Sequence, residues 1–246
     1  MMKYTLLIVT VILTTLSFSQ EENRKNKVLE SERLQIDANW KEAISNIQNL
    51  KKGTLLVALD FKAKKVAYYK KYNNTKAATK LAAKQLEINR NIIHSIDSLY
   101  TFSKVLYFNV DDLLKVKEKK FEEIIFYNAQ GEQDATIKIT NDFFLVGSFS
   151  TVSENYEEDA TYATKNSVNA FVLWDENLQQ LKRPFPYYST YHPNYFVSKR
   201  YMKPTRRLQE NLELFEKGGE AKYNKREKRR AEKRARLAKK NQAKNQ

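Results

Sequence analysis

The apolar positions of the chain change period several times, and each change marks an element. Trp40, Ala43, Ile44, Ile47 and Leu50 recur at three-four spacing, with Asp37 able to cap the start and Gly53 just past the end, which predicts a helix. Thr54 to Asp60 (TLLVALD) is an unbroken apolar run of strand length and predicts a buried strand. Helical patterns follow over Lys62 to Lys71 and Lys76 to about Leu99, separated by Tyr72-Asn73-Asn74-Thr75, where one helix can stop and the next be capped. In the second pattern Leu81, Gln85, Ile88, Ile92, Ile96 and Leu99 lie near one face, while Ala78 and Ala82 let the first helix approach closely. Lys104 to Asn109 (KVLYFN) reads as a strand. Strand, helical hairpin and strand form a crossover, which sheet handedness makes right-handed and parallel.

Beyond this point the pattern shortens. Asp111 to Lys119 predicts a short helix, Phe121 to Tyr127 a third strand, and Gln130-Gly131 a turn. Ala135 to Thr140, Asp142 to Phe149, Val168 to Trp174 and Leu178 to Leu181 are strand-like runs without strong helices between them, and Asp175-Glu176-Asn177 suits a hairpin turn. Ser150 to Ser167 is acidic and polar and reads as a loop. A short amphipathic helix carries Leu208, Leu212 and Phe215 on one face, and Gly218-Gly219 after it reads as a hinge. The fold class expected is mixed α/β: a sheet with a parallel N-terminal part and antiparallel C-terminal strands, helices packed on it, and a helical or disordered basic tail.

The N-terminus carries a different signal. Lys3 precedes an apolar stretch from Leu6 to Phe18, and Ser17 and Ser19 fit the minus-three and minus-one positions of a cleavage site. This is the layout of a secretory signal peptide, with the mature chain starting at Gln20. The competing reading, an uncleaved anchor, needs roughly 20 apolar residues, and the run is shorter. The expected organisation is therefore a signal peptide over 1–19, a polar linker over 20–37, one mixed domain over 38–217 and a basic tail over 218–246. Export places the protein in the periplasm or at the cell surface, with no transmembrane helix after cleavage.

Composition sharpens this in two ways. The chain has no cysteine, which removes disulfides, thiolate zinc sites and thiol catalysis together. Its net charge of +15 is unevenly spread: residues 220–246 hold twelve Lys or Arg against three Glu. Arg229, Arg230, Arg234 and Arg236 lie at the centre of that run, in Lys225 to Lys240 (KREKRRAEKRARLAKK), which has strong helix formers but no apolar stripe. Such a segment holds polyanions by releasing their counterions. Export disfavours nucleic acid as the partner and favours an anionic envelope polymer or lipid phosphates; the bland reading is that the run only confers solubility.

Signals for catalysis are sparse. There is no glycine-rich phosphate loop and no Gly-x-Ser-x-Gly elbow, and no cofactor is implied. His94 has Asp97 three residues on, but a helix-surface hydrogen bond explains that pair, and His192 lies in an aromatic loop. Asp60 closes the first strand, and Asp111 and Asp112 follow the second, so all three could meet beyond the strand ends and hold a divalent cation. That would make a metal-dependent periplasmic enzyme, the alternative to a binding module; the plainer reading is that they cap a helix and open a loop. Pro184 to Tyr201 (PFPYYSTYHPNYFVSKRY) is rich in aromatics flanked by cations. Lys182, Arg183, Tyr187 and Tyr188 could bind an acidic sugar or base there, or simply pack on the sheet.

The segment Phe171 to Tyr188 (FVLWDENLQQLKRPFPYY), with its strand, turn and Pro-Phe-Pro-Tyr-Tyr element, resembles a family of uncharacterised secreted proteins of Bacteroidota. LLVALDFKAKKVAYYKK and VLYFNVDD stand in matching places, so the resemblance spans about residues 38 to 213. It implies an exported mixed α/β domain and brings no activity with it. The basic tail lies outside the shared region.

Overall fold

In a computed structural model the described residues are 30–32, 34–153, 167–192 and 197–244. The predicted signal peptide, most of the polar linker and most of the Ser150–Ser167 loop lie outside them. The chain divides into two units at the Glu42–Ala43 step. The first contributes helical residues 30–32 and 34–42.

The second unit opens with helical residues 43–52 (α1) and runs through β1 (Thr54–Leu59), α2 (Ala63–Lys71), α3 (Thr75–Leu99), β2 (Lys104–Asn109), a 3₁₀ turn at Val110–Asp112, and α4 (Leu113–Lys117). A second 3₁₀ turn at Phe121–Glu123 leads to β3 (Phe126–Tyr127), β4 (Gln133–Asp134), β5 (Phe144–Ser153), β6 (Ser167–Trp174), β7 (Tyr188–Thr190) and α5 (Val197–Lys244). The strands form one seven-stranded mixed sheet in the order β4-β3-β2-β1-β5-β6-β7. β1 is central and parallel to both β2 and β5; the outer pairs are antiparallel.

Period-two alternation sends the strand side chains to two cores. Leu55, Val57, Leu59, Leu145, Phe171 and Leu173 face one side, covered by Ala43, Ile47 and Leu50 of α1, Ile92, Ile93 and Ile96 of α3, and Tyr201, Leu208 and Leu212 of α5. Leu56, Ala58, Leu106, Phe108, Phe126, Phe144 and Val146 face the other, covered by short pieces carrying Val116, Ile124, Ile137 and Ile139. β1 is buried on both faces, which is why its sequence is apolar throughout rather than alternating.

Several elements depart from their sequence pattern. Phe121–Tyr127 is a strand only at its last two residues, and Ala135–Thr140 is irregular, because both lie across the second core as cover rather than in the ladder. Leu178–Leu181 contributes one bridge, Trp174 with Gln180, which closes the predicted turn as Asp175 accepts from Asn177 and Gln179. Asn74 caps α3 by accepting the N–H of Ala77 at 3.2 Å. The predicted hinge is absent: α5 runs through Gly218 and Gly219 without a break.

Candidate polyanion-binding surface

α5 is 48 residues long, about 70 Å at 1.5 Å per residue. Its first half is docked. Tyr201, Pro204, Thr205, Leu208, Gln209 and Leu212 are buried, and Phe149 sets its ring at 4.9 Å from that of Tyr201. Pro204 removes one N–H from the helical ladder, and the hydroxyl of Thr205 donates to Tyr201 O at 2.8 Å. Polar groups fix the register: Ser95 Oγ bonds Thr205 Oγ1 at 3.2 Å, and Gln209 Oε1 accepts the N–H groups of Thr101 and Phe102 at 3.0 and 3.1 Å. Gly219 is the last buried residue of the helix among those described, set against the ring of Phe215.

Charge concentrates on this one element. Val197–Lys244 holds 18 Lys or Arg and six Glu, so α5 supplies +12 of the chain's +15. Lys199, Lys203, Arg206 and Arg207 stand with Met202 and Glu210 around a depression of about 560 Å³ on the docked half. Lys222, Lys225, Arg226, Arg229 and Arg230 line a second of about 450 Å³ on the undocked half. The sequence pattern places the basic region from residue 220 onward, whereas the folded helix carries it from Lys199. The signal for this was the three-four spacing of Leu208, Leu212 and Phe215, which ties the basic residues on either side of it into one helix. Arg234 and Arg236 fall on helical backbone, with side chains outside the described residues.

Residues 184–190, the first part of the proline-aromatic segment, are built into the edge of the sheet. Phe185 is buried in the first core with Tyr187 packed beside it, while Tyr188 packs against a separate small cluster formed by Val152 of β5 and Ala170 and Val172 of β6. The two tyrosine rings lie 4.8 Å apart. The tyrosine hydroxyls of Tyr188 and Tyr187 beside the Arg183 guanidinium raise its pKa, and Lys182 is exposed next to it. Arg183, Tyr187 and Tyr188 are therefore brought together, but chiefly to close the edge next to β7.

The three aspartates do not come together as a metal site. β1 and β2 end in register, Leu59 beside Asn109, as the sequence pattern implies. Asp60, however, turns back to accept from Lys62 N at 2.7 Å and pairs with the Lys62 ammonium. Asp112 pairs with Lys115 at 2.7 Å, and the Asp111 N–H is held by Asn109. Local lysines thus claim the carboxylates of Asp60 and Asp112, and among the described residues no group of three or more His, Cys, Asp or Glu is placed to hold a metal ion. His94 is exposed on α3 and His192 exposed after β7. Among the described residues no helix is long and apolar enough to cross a membrane.

No family model matches the chain, and neither does any curated protein or solved structure. The functional reading rests on geometry and charge.

Proposed function

We propose that the protein is an exported binding module of the cell envelope, in which the mixed α/β domain presents α5 as a cationic helix to an anionic polymer or to lipid phosphates. The observation that carries this reading is the placement of +12 on one continuous helix while the rest of the chain carries only +3. The undocked half is polar all round, so burial of an apolar face does not account for its length. A helix of this kind binds a polyanion by releasing the counterions condensed on the polymer.

The test compares the full chain with a form ending at Gly219, which keeps every residue of α5 that is buried among those described, in sedimentation with purified envelopes. The full chain is expected in the pellet at low salt and in the supernatant once screening shortens charge interactions to about 10 Å or less near and above 0.1 M. The shortened form should stay in the supernatant at both. Equal retention of the two forms, or retention that ignores salt, would sink the reading.

A further inference from the structure

Leu208, Leu212, Phe215 and Gly219 follow one another at alternating four- and three-residue steps along the side of α5 that faces α3, β6 and β7. The alternation does not stop where the contacts stop. Lys222, Arg226, Arg229 and position 233, also lysine, continue it in phase, so the seam that is apolar against the domain becomes cationic beyond it. None of the three glutamates of this stretch, Glu220, Glu227 and Glu232, occupies a seam position; each lies one residue, about 100°, to the side. The described members Lys222, Arg226 and Arg229 line one groove with Lys225 and Arg230.

This phase sets which of the cations lie on the same side of the helix axis as the domain. The domain stands on the seam side of the helix axis, as a helix layer and a sheet layer about 20 Å deep. The cationic stretch from Lys222 to Lys244 continues past it for about 33 Å. A flat membrane laid along the seam would have to occupy the space of α3 and the sheet, whereas a single polymer chain can lie in the angle between the helix and the domain. The domain wall at the root of that angle is also basic. Phe185 meets Phe215 at 6.3 Å, one turn before Gly219, and the turn closed by Phe185 N on Lys182 O at 3.1 Å carries Lys182 and the tyrosine-flanked Arg183.

We infer that the angle between the undocked half of α5 and the domain is a binding groove for a single-chain acidic polysaccharide, gripped by the cationic seam, and that a planar anionic membrane is not its ligand. This rests on the reading of α5 as a polyanion-binding helix and adds the shape of the ligand and the face that holds it.

The experiment measures affinity of the full chain for fluorescent polygalacturonate and for vesicles of phosphatidylglycerol and phosphatidylcholine at matched anionic charge. Two variants remove the same charge: the seam triple Lys222→Gln, Arg226→Gln, Arg229→Gln, and the off-seam triple Lys228→Gln, Arg234→Gln, Lys239→Gln. All six positions lie beyond Gly219, the last buried residue among those described, and circular dichroism is used to check that each variant keeps its helix content. The chain should bind the polymer more tightly than the vesicles. The seam triple should weaken polymer binding roughly a hundredfold near 0.1 M salt and lower the log–log salt slope by about two, since each single-strand contact contributes about 0.7. The off-seam triple should lose less than about tenfold. Vesicle binding equal to polymer binding, or equal losses in the two triples, overturns the groove while leaving a polyanion-binding helix in place. Binding to neither probe removes both.

Discussion

Gln209 Oε1 accepts the backbone N–H of Thr101 at 3.0 Å, which ties the docked half of α5 to the loop between α3 and β2. The same oxygen takes the N–H of Phe102, and the Gln209 amide donates to Thr101 Oγ1 and Glu213. One side chain thus satisfies two N–H groups that the end of α3 and the start of β2 leave over. Gln209→Leu should fit the space but strand both donors, at a cost of about 2–3 kcal/mol. Urea unfolding of the full chain reads this as a fall in midpoint at unchanged slope; an unchanged midpoint would show that water replaces the amide.

Much of the first half was legible because its signals are local. β1, α2, α3 and β2 are long periodic or continuous runs, and Asn74 is a cap that can be recognised from its place between two helices. In the second half β5, β6 and the turn at Asp175 follow their sequence pattern, but other parts do not, for two physical reasons. Ile137 and Ile139 are spaced like strand residues, yet they cover a core from outside the ladder, and the alternation of apolar residues is the same in either role. Gly218-Gly219 has low helix propensity, and that weak local preference is outweighed by propagation from a docked helix on one side and strong helix formers on the other. The metal reading of Asp60, Asp111 and Asp112 was right about the strands ending together and wrong about the carboxylates, since the lysines two and three residues on claim two of them.

Gly53 is required by close approach. A Cβ there would lie 2.5 Å from the carbonyl oxygen of Phe143 and 2.9 Å from that of Asn49, and both are backbone atoms that cannot turn away. The contact is where α1 hands over to β1 and where Thr54 N bonds Phe143 O at 3.1 Å. Gly53→Ala should destabilise by about 2–3 kcal/mol through forced separation of β1 from the segment entering β5. Thermal unfolding measures it, and a melting temperature within error of the parent would refute the close-packing argument.

Alkaline stability should depend on two tyrosines. Burial pushes the hydroxyls of Tyr107 and Tyr100 well above the usual value of 10.0, and donation by Tyr107 to Asp97 raises it further. Because the folded values exceed the unfolded one, this stabilisation is complete below about pH 10 and is lost as pH rises beyond it, where the unfolded chain releases protons that the folded chain keeps. The parent should therefore lose more stability between about pH 9 and pH 11 than the double variant Tyr100→Phe, Tyr107→Phe. Denaturant midpoints across that range decide it, and parallel curves would show that these two hydroxyls do not set the alkaline limit.

Gly218 separates two accounts of how the cationic half of α5 works. If the glycine pair were a hinge, replacing it would stiffen a joint that binding needs, and retention on envelopes would fall. In the structure Gly218 is helical and a Cβ there would meet nothing within 4 Å, so alanine is accommodated without strain. Gly218→Ala should then only remove the entropic cost of glycine in a helix interior, about 0.5–1 kcal/mol. Amide hydrogen exchange around residues 214–224 should slow by roughly twofold to fivefold, the equivalent of that energy near room temperature. Gly219 is the poorer site for this test, because its Cβ would press the Phe215 ring at 3.2 Å. Retention of the Gly218→Ala form on envelopes at low salt should match or exceed the parent, since the cationic seam stays in phase with the docked one. Slower exchange with weakened retention would return the hinge and take away the fixed angle on which the groove depends.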